Sequence, residues 1–188
     1  MKELSLNILD IVENSVKAKA SLTEILLTEK ENVMTITVRD DGHGMPEEMV
    51  RSVTDPFCTT RTTRSVGLGI PLFQMAAQQT GGSLTITSKM ATEKDSTHGT
   101  TLVATFYTDH MDFTPLGDIV STLSTLVQGH PDTDFYFLHT RDGKEIAELD
   151  TRAVREVLGD KVPLDTFEVI VWIRESLKEQ YDSVKKQI

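Results

Sequence analysis

The run Asp40-Asp41-Gly42-His43-Gly44-Met45, directly after a strand-like stretch, combines residue types that could bind a ligand. Glycine permits positive φ and lets the backbone approach a flat ligand closely. A carboxylate just before such a turn can accept a hydrogen bond from an exocyclic amine, such as that of adenine. Taken alone, the run equally describes an ordinary tight turn after a strand, so its interpretation depends on the rest of the chain.

A second polar group lies on the first predicted helix, residues 3–21. Spacings of four and three residues align one polar stripe: Glu3, Asn7, Asp10, Asn14, Lys17 and Ser21. Asn14 offers a neutral oxygen to Mg²⁺, which takes one or two protein oxygens beside phosphate and water. Asp10, one turn earlier, could orient or deprotonate a water molecule, and Lys17 adds a positive charge. The alternative interpretation is a solvated helix face.

A third group is the glycine-rich run Ser65-Val66-Gly67-Leu68-Gly69-Ile70, which leads into a predicted helix. Exposed backbone amides at a helix N-terminus form an anion site, and Arg61 and Arg64 upstream could reach phosphate oxygens. The run is not a P-loop, because no Lys-Ser or Lys-Thr follows at the required spacing. The alternative interpretation is a flexible joint.

Apolar periodicity predicts the elements that must position these groups. In the first part of the chain we expect helices at 3–21, after Pro46 and at 70–80, a loop at 55–66, and strands at 23–28, 33–39, 83–89 and 100–107. Later we expect a helix at 116–127, a hairpin of 135–140 and 145–149, a short helix ending at Gly159, and a long amphipathic helix from Asp165. Alternating apolar residues in the later strands of the first part predict a sheet with one buried face.

Composition narrows the classes of function. The length of 188 residues and the hydrophobic fraction of 38% favour one globular domain with a small appendage. The net charge of -10 opposes binding to nucleic acid or anionic membranes. No apolar run approaches the roughly 20 residues that span a bilayer, and the single cysteine, Cys58, favours a reducing cytoplasm. Residues 56–92 contain no Asp or Glu, which indicates where an anion could sit.

In this order, the three groups resemble the GHKL ATPases: gyrase, the large heat-shock chaperone, histidine kinases and MutL. The resemblance covers residues 3–108. Its boxes are Leu9–Lys17 for the N box, Asp40–Gly44 for the first glycine box, Asp55–Arg61 for the lid, Gly67–Gly69 for the second glycine box and Gly99–Thr101 for the small-residue box.

The resemblance implies an α+β fold: a two-layer α/β sandwich of the Bergerat type, with a mixed sheet and helices on one face. It implies an ATP-binding domain at 1–109. Residues 110–188 match no motif, and their predicted helices and hairpin are expected to form a small α/β extension. The implied cofactors are ATP and Mg²⁺, with Asp10 catalytic and Asn14 at the metal. Residues implied to bind the nucleotide are Asn14, Lys17, Asp40, Gly42, Gly44, Met45, Phe57, Thr60, Arg61, Gly67, Leu68, Gly69 and Thr100.

Two departures refine this expectation. Asp10 stands where MutL-like members carry a glutamate, so hydrolysis is in question, and Lys17 is the residue that histidine kinases use at its position. None of the five histidines is followed by an acidic residue and the first helix starts at the N-terminus, so we expect no complete sensor kinase on this chain. His130 and His139 are isolated in the sequence and favour structural roles.

Three functions follow as hypotheses. The first is a kinase or ATPase that acts with, or on, a separate cytoplasmic protein. The second is a nucleotide-sensing module with little turnover, which the short Asp10 favours. The third is an ATP-gated dimer clamp, with a homodimer as the assembly. For residues 110–188, a partner-binding or dimer-forming cap and a plain cover for the sheet are equally open.

Overall fold

The computed structural model describes residues 3–53, 68–92, 97–159 and 161–185 of the chain. Its elements, in chain order, are α1 Leu4–Lys17, β1 Leu22–Lys30, β2 Val33–Asp40, α2 Glu47–Val53, α3 Gly69–Gln79, β3 Ser83–Lys89, β4 Gly99–Tyr107, α4 Ile119–Gly129, β5 Asp134–Arg141, β6 Lys144–Asp150, α5 Thr151–Leu158 and α6 Phe167–Lys185. The predicted loop at 55–66 lies entirely within residues 54–67, which are outside the described residues.

The strands form one mixed six-stranded sheet in the order β3-β4-β2-β1-β5-β6. The predicted hairpin of β1 and β2 is present, with Thr23 paired to Asp40 and Lys30 to Val33. β5 pairs with β1 in parallel, Leu22 opposite Asp134, so the strands of residues 110–188 continue the same sheet. The predicted α+β fold with a mixed sheet is confirmed.

The apolar side chains that alternate along the strands define the buried face. Fully buried residues there include Ile25, Leu27, Ile36, Phe106, Phe135 and Phe137, and they join one core with apolar residues of α1, α3, α4 and α6. Because successive strand residues point to opposite faces, the threonines between them lie on the other face. Helix packing therefore buries one side of the sheet.

Helix α1 is shorter than predicted. It ends at Lys17, because Lys19 in the following turn has a φ of 60° and its backbone N–H donates to the Val16 carbonyl. Ser21 therefore leaves the predicted polar stripe. Asn7 also departs from it, since its side chain is fully buried rather than solvated. The stripe that remains exposed or half-buried is Asp10, Asn14 and Lys17.

A buried polar cluster joins β1, β5 and α6. His139 is 2% exposed; its Nε2 donates to Glu29 Oε1 at 2.8 Å, and its Nδ1 lies 2.9 Å from the Tyr181 hydroxyl. Arg141 donates to both oxygens of Glu29. The hydrogen bond from His139, reinforced by Arg141 against the opposing effect of burial, lowers the pKa of Glu29 from 4.5 to about 2. His139 thus has a structural role, as its isolation in the sequence predicts.

One feature of α6 differs from its apolar pattern. Ile170, Ile173 and Leu177 are buried, as their helical spacing requires. Phe167, which begins the same apolar row on α6, is 76% exposed. A helix end projects beyond the core, so periodicity overstates burial there. Among the described helices, none is long and apolar enough to cross a membrane.

Candidate functional site

The carboxylate of Asp40 lies where β2 ends and the glycine-rich turn begins. Its Oδ1 accepts the backbone N–H of Gly42 at 2.9 Å and that of Thr100 at 3.2 Å. Its Oδ2 accepts the hydroxyl of Ser15 at 2.9 Å. A carboxylate has about four lone-pair positions, so these donors fix its orientation and leave Oδ2 able to accept another hydrogen bond.

The neighbouring Asp41 anchors the turn to the start of β1. Its carboxylate accepts the backbone N–H of Ser21 at 2.7 Å and of Leu22 at 2.9 Å, and also the Ser21 hydroxyl. Burial alone would raise the pKa of Asp41, but the hydrogen bonds from Leu22 and Ser21 hold that pKa below its ordinary value of 3.8. Of the two adjacent aspartates, Asp40 therefore lines the cavity, whereas Asp41 hydrogen-bonds the backbone at the start of β1.

The second glycine of the turn is required by backbone geometry. Gly44 has a φ of +71°, and a Cβ built on it would lie 2.0 Å from the Lys89 carbonyl oxygen. Immediately after it, the Met45 N–H donates to Ser88 Oγ at 2.8 Å, and Ser88 Oγ lies 2.8 Å from Thr100 Oγ1. The turn is thereby packed directly onto the ends of β3 and β4.

These elements enclose a cavity of about 200 Å³ between α1, α3 and the sheet. Its apolar lining is Ile11, Ala18, Val38, Met45, Met49, Ile70, Ile86 and Leu102, and its polar lining is Asn14, Ser15, Lys17, Asp40, His43, Gly44 and Thr100. A largely apolar slot with a few fixed polar groups is typical of sites for flat aromatic ligands. Pockets for whole small molecules measure about 300–1,000 Å³, so the described residues enclose only part of such a site.

The lining of the same cavity includes Asn14 and Lys17 from α1. Within the described part of the chain, the side chains of Asp10, Asn14 and Lys17 make no hydrogen bond or ion pair. The described residues also contain no group of three or more His, Cys, Asp or Glu that could hold a metal. The amide oxygen of Asn14 fits Mg²⁺ nevertheless, because that ion is commonly bound through one or two protein oxygens together with substrate phosphates.

Asp10 lies beside the cavity rather than in its lining. It is exposed on α1 and packs against the start of α3, where a Cβ built on Gly69 would lie 2.9 Å from the Cβ of Asp10. Gly69 is buried, and Leu68 before it is 65% exposed. A side chain at position 69 would therefore separate the two helices, so this glycine allows α1 and α3 to approach closely.

The predicted site residues fall into three groups. The structure brings Asn14, Lys17, Asp40, Gly44, Met45 and Thr100 together around the cavity, with Gly42 contributing its N–H to Asp40. Asp10, Leu68 and Gly69 lie next to it. Phe57, Thr60, Arg61 and Gly67 lie outside the described residues. The chemical roles of all these residues stay predictions.

Sequence reasoning missed two hydroxyl groups of the site, on Ser15 and Ser88. Ser15 is adjacent to Asn14 and its position on α1 directs it to the buried side, toward Asp40. Ser88 continues the alternation of Leu84 and Ile86 onto the inner face of β3. In both cases the sequence does contain a signal for a site residue, because the apolar periodicity places a hydroxyl group at a position that faces the core.

Comparison with known proteins finds matches over the part of the chain that lines this cavity. The model of the family described as histidine kinase-, DNA gyrase B- and HSP90-like ATPase matches residues 2–110. Sporulation kinase A of Bacillus subtilis is 31% identical over 64 residues, which are 33% of this chain and 10% of that kinase. Sporulation kinase C of the same organism is 29% identical over 83 residues, 43% of this chain and 19% of that kinase. The chain thus matches less than a fifth of either kinase.

Solved structures show a similar fold. The ATPase domain of Aquifex aeolicus MutL, complexed with ADP, aligns with a TM-score of 0.53 and 15% identity over 93% of this chain and 88% of that one. The N-terminal domain of a DNA repair protein aligns with a TM-score of 0.50 and 14% identity over 79% of this chain and 53% of that one. The first alignment includes most of residues 110–188, so the continued sheet is part of the shared architecture.

Proposed function

Because the chain belongs to the family of histidine kinase-, DNA gyrase B- and HSP90-like ATPases, we propose that it binds Mg-ATP and transfers or hydrolyses the terminal phosphate together with a separate cytoplasmic protein. One observation carries this proposal. One cavity is lined both by a fixed carboxylate, Asp40, which we call the adenine end, and by the metal- and phosphate-type groups of Asn14 and Lys17, which we call the phosphate end.

At the adenine end, Asp40 would accept a hydrogen bond from the exocyclic amine. Ser15, Gly42 and Thr100 keep its oxygens oriented, so binding costs little reorganisation. The apolar side chains of Val38, Leu102 and Ile86, which are cross-strand neighbours on one face of the sheet, would pack against the base.

At the phosphate end, the amide oxygen of Asn14 would hold the metal and the ammonium of Lys17 would contact a phosphate oxygen. A magnesium ion held there would supply neutralisation of the charge that develops during phosphoryl transfer. Asp10, one turn before Asn14, would orient the attacking water or hydroxyl through a water-mediated contact, since it lies beside the cavity. The resemblance of part of the chain to two sporulation kinases supports phosphoryl transfer rather than hydrolysis alone.

The direct test is phosphate release from Mg-ATP, with and without partner proteins, for the wild type and for Asp10→Asn. We expect Asp10→Asn to lower turnover by about 100-fold to 10,000-fold, the contribution typical of a general base, while the Kd for Mg-ATP changes less than about twofold. Turnover that persists unchanged in this variant would exclude Asp10 as the catalytic residue.

A second candidate is a nucleotide sensor with little turnover, in which bound ATP changes the surface that a partner recognises. The observation that favours it is the position of Asp10, which is short, exposed and outside the cavity lining. Tight binding of Mg-ATP without phosphate release, in the presence of the partner, would establish this alternative.

A homodimer is a further expectation that the sequence leaves open. An ATP-gated dimer would change from monomer to dimer when a non-hydrolysable ATP analogue is added, which sedimentation equilibrium measures directly. The net charge of -10 argues that neither nucleic acid nor an anionic membrane is the partner. An unchanged mass with the analogue would remove the clamp from consideration.

A further inference from the structure

Glu13 and Lys17 lie four residues apart on α1, a spacing that allows a salt bridge. A glutamate four residues before a lysine on a helix is the favourable orientation for such a pair. In this structure Glu13 Oε1 lies instead 2.7 Å from His130 Nε2. Within the described part of the chain, Lys17 has no hydrogen-bonding or ionic partner, and it lines the cavity.

His130 reaches Glu13 from a well-anchored position at the end of α4. Its backbone N–H donates to the Leu126 carbonyl, which closes the helix, and its carbonyl accepts the Thr133 N–H at 3.1 Å. An ionised carboxylate can only accept hydrogen bonds, so the imidazole Nε2 must be the donor. The Glu13 side chain is 36% exposed and that of His130 24%, so the pair is partly shielded from water.

Helix α4 is itself fixed against α1 at the opposite end. The first free N–H groups of α1, those of Leu4 and Ser5, donate to the carbonyls of Pro115 and Leu116 at 2.9 and 2.8 Å. The Asp118 N–H, at the start of α4, donates to Glu3 Oε2 at 3.2 Å. The imidazole is thus presented to Glu13 by a segment that contacts α1 along its length.

We propose that His130 is a positioning residue for the phosphate end of the site: it holds the Glu13 carboxylate away from Lys17. The ammonium of Lys17 then keeps its charge available for a nucleotide phosphate. Without His130, Glu13 pairs with Lys17 and brings its negatively charged carboxylate close to the negatively charged phosphates. This inference rests on the proposed binding of Mg-ATP, and it assigns to the C-terminal extension a part in that binding.

The test is a double-variant cycle read by isothermal titration calorimetry, with Mg-ATP and adenosine as ligands. His130→Ala should weaken Mg-ATP binding by about threefold to fivefold, the loss expected when a helical ion pair and a nearby like charge compete with the ligand. Adenosine, which lacks phosphates, should bind as in the wild type. Glu13→Gln removes the competing charge, so the double variant His130→Ala/Glu13→Gln should regain the affinity of Glu13→Gln alone.

Two further variants complete the design. His130→Gln retains an amide donor for Glu13 and should keep wild-type affinity, whereas His130→Asp repels Glu13 toward Lys17 and should reproduce the loss even if His130→Ala fails to fold. His110→Ala is the matched control, because His110 is an exposed histidine whose ring nitrogen lies 3.7 Å from Asp112 on the surface. It should bind both ligands as the wild type does.

Three results would overturn the inference while leaving the proposed function intact: an unchanged Kd for Mg-ATP in His130→Ala and His130→Asp, an equal loss for adenosine, or a loss that Glu13→Gln does not reverse. The last two describe a histidine that merely supports the fold. A wild-type protein that binds no Mg-ATP would instead overturn the proposed function, and with it the inference.

Discussion

The proposed adenine end, Asp40, and the proposed phosphate end, Asn14 and Lys17, differ in how their side chains are held. Asp40 receives three hydrogen bonds from Ser15, Gly42 and Thr100 before any ligand arrives. Among the described residues, Asn14 and Lys17 at the other end have no side-chain partners. A fixed acceptor favours selection of one base, because little conformational entropy is lost when it binds. Because Asn14 and Lys17 have no side-chain partners among the described residues, their positions would depend on the nucleotide and the metal ion that bind.

The contrast extends to the elements that hold each end. The adenine end lies on strand termini and a glycine turn that are packed against one another, with no room for a side chain at Gly44. The phosphate end lies on one face of α1, and the neighbouring Glu13 on that helix contacts His130 of the C-terminal extension. We therefore expect substitutions at the adenine end to affect every adenine ligand, and those at the phosphate end to affect only phosphorylated ligands.

The largest effect should come from Asp40→Asn. The amide places a donor among three existing donors and loses a charge-assisted acceptor, so we expect binding of both Mg-ATP and adenosine to weaken by about 30- to 150-fold, or about 2–3 kcal/mol. Calorimetry with both ligands measures this, and Asp132→Asn, at an exposed aspartate, is the control. Loss for Mg-ATP alone would reverse the assignment of the two ends.

Lys17→Met should have a smaller and more selective effect. Removing the ammonium while keeping the aliphatic chain should weaken Mg-ATP binding by about 10-fold, or about 1.4 kcal/mol, through loss of a charge-assisted hydrogen bond. Adenosine binding should not change, because Asp40 is untouched. Equal weakening of both ligands in competition titrations would show that the two ends are not independent.

Ser15→Ala tests how much the fixed orientation of Asp40 contributes. One neutral-to-charged hydrogen bond is lost, so both ligands should bind about 3- to 10-fold more weakly, by about 0.7–1.4 kcal/mol. Ser183→Ala, on the exposed side of α6, is the matched control. Unchanged adenosine affinity in Ser15→Ala would mean that Gly42 and Thr100 suffice to orient the carboxylate.

Asp41 should give the smallest effect, visible as a pH dependence of stability. Its pKa is lowered below 3.8 in the folded protein, so its stabilising contribution is complete above that pH and is lost as the pH falls through and below it. Urea unfolding between pH 5 and about 3 should show this loss in the wild type. In Asp41→Asn the free energy of unfolding should fall less over the same range; parallel curves would rule out this carboxylate as the source.

Much of the site is visible in the sequence because its determinants are local. The spacing of Asp10, Asn14 and Lys17 fixes their common helix face, and the need for glycine at position 44 follows from the turn after β2. The strand alternation likewise predicts which side chains face the core. The same local reasoning failed at the ends of elements, for Ser21 and Phe167, because a periodic pattern does not register where a helix stops or where the core no longer covers it.

Tertiary structure alone decided the contacts between residues far apart in the chain. The parallel pairing of β5 with β1, the hydrogen bond from Ser15 to Asp40 and that from His130 to Glu13 join positions between 25 and 117 residues apart. No local periodicity specifies such pairs, since they form only when the burial of several elements in one core fixes their relative positions. The sequence by itself therefore determined the turn at Asp40 and the common helix face of Asn14 and Lys17, because both depend on local geometry. Packing determined that Ser15 holds Asp40 in place and that Asp10 lies outside the lining of the cavity.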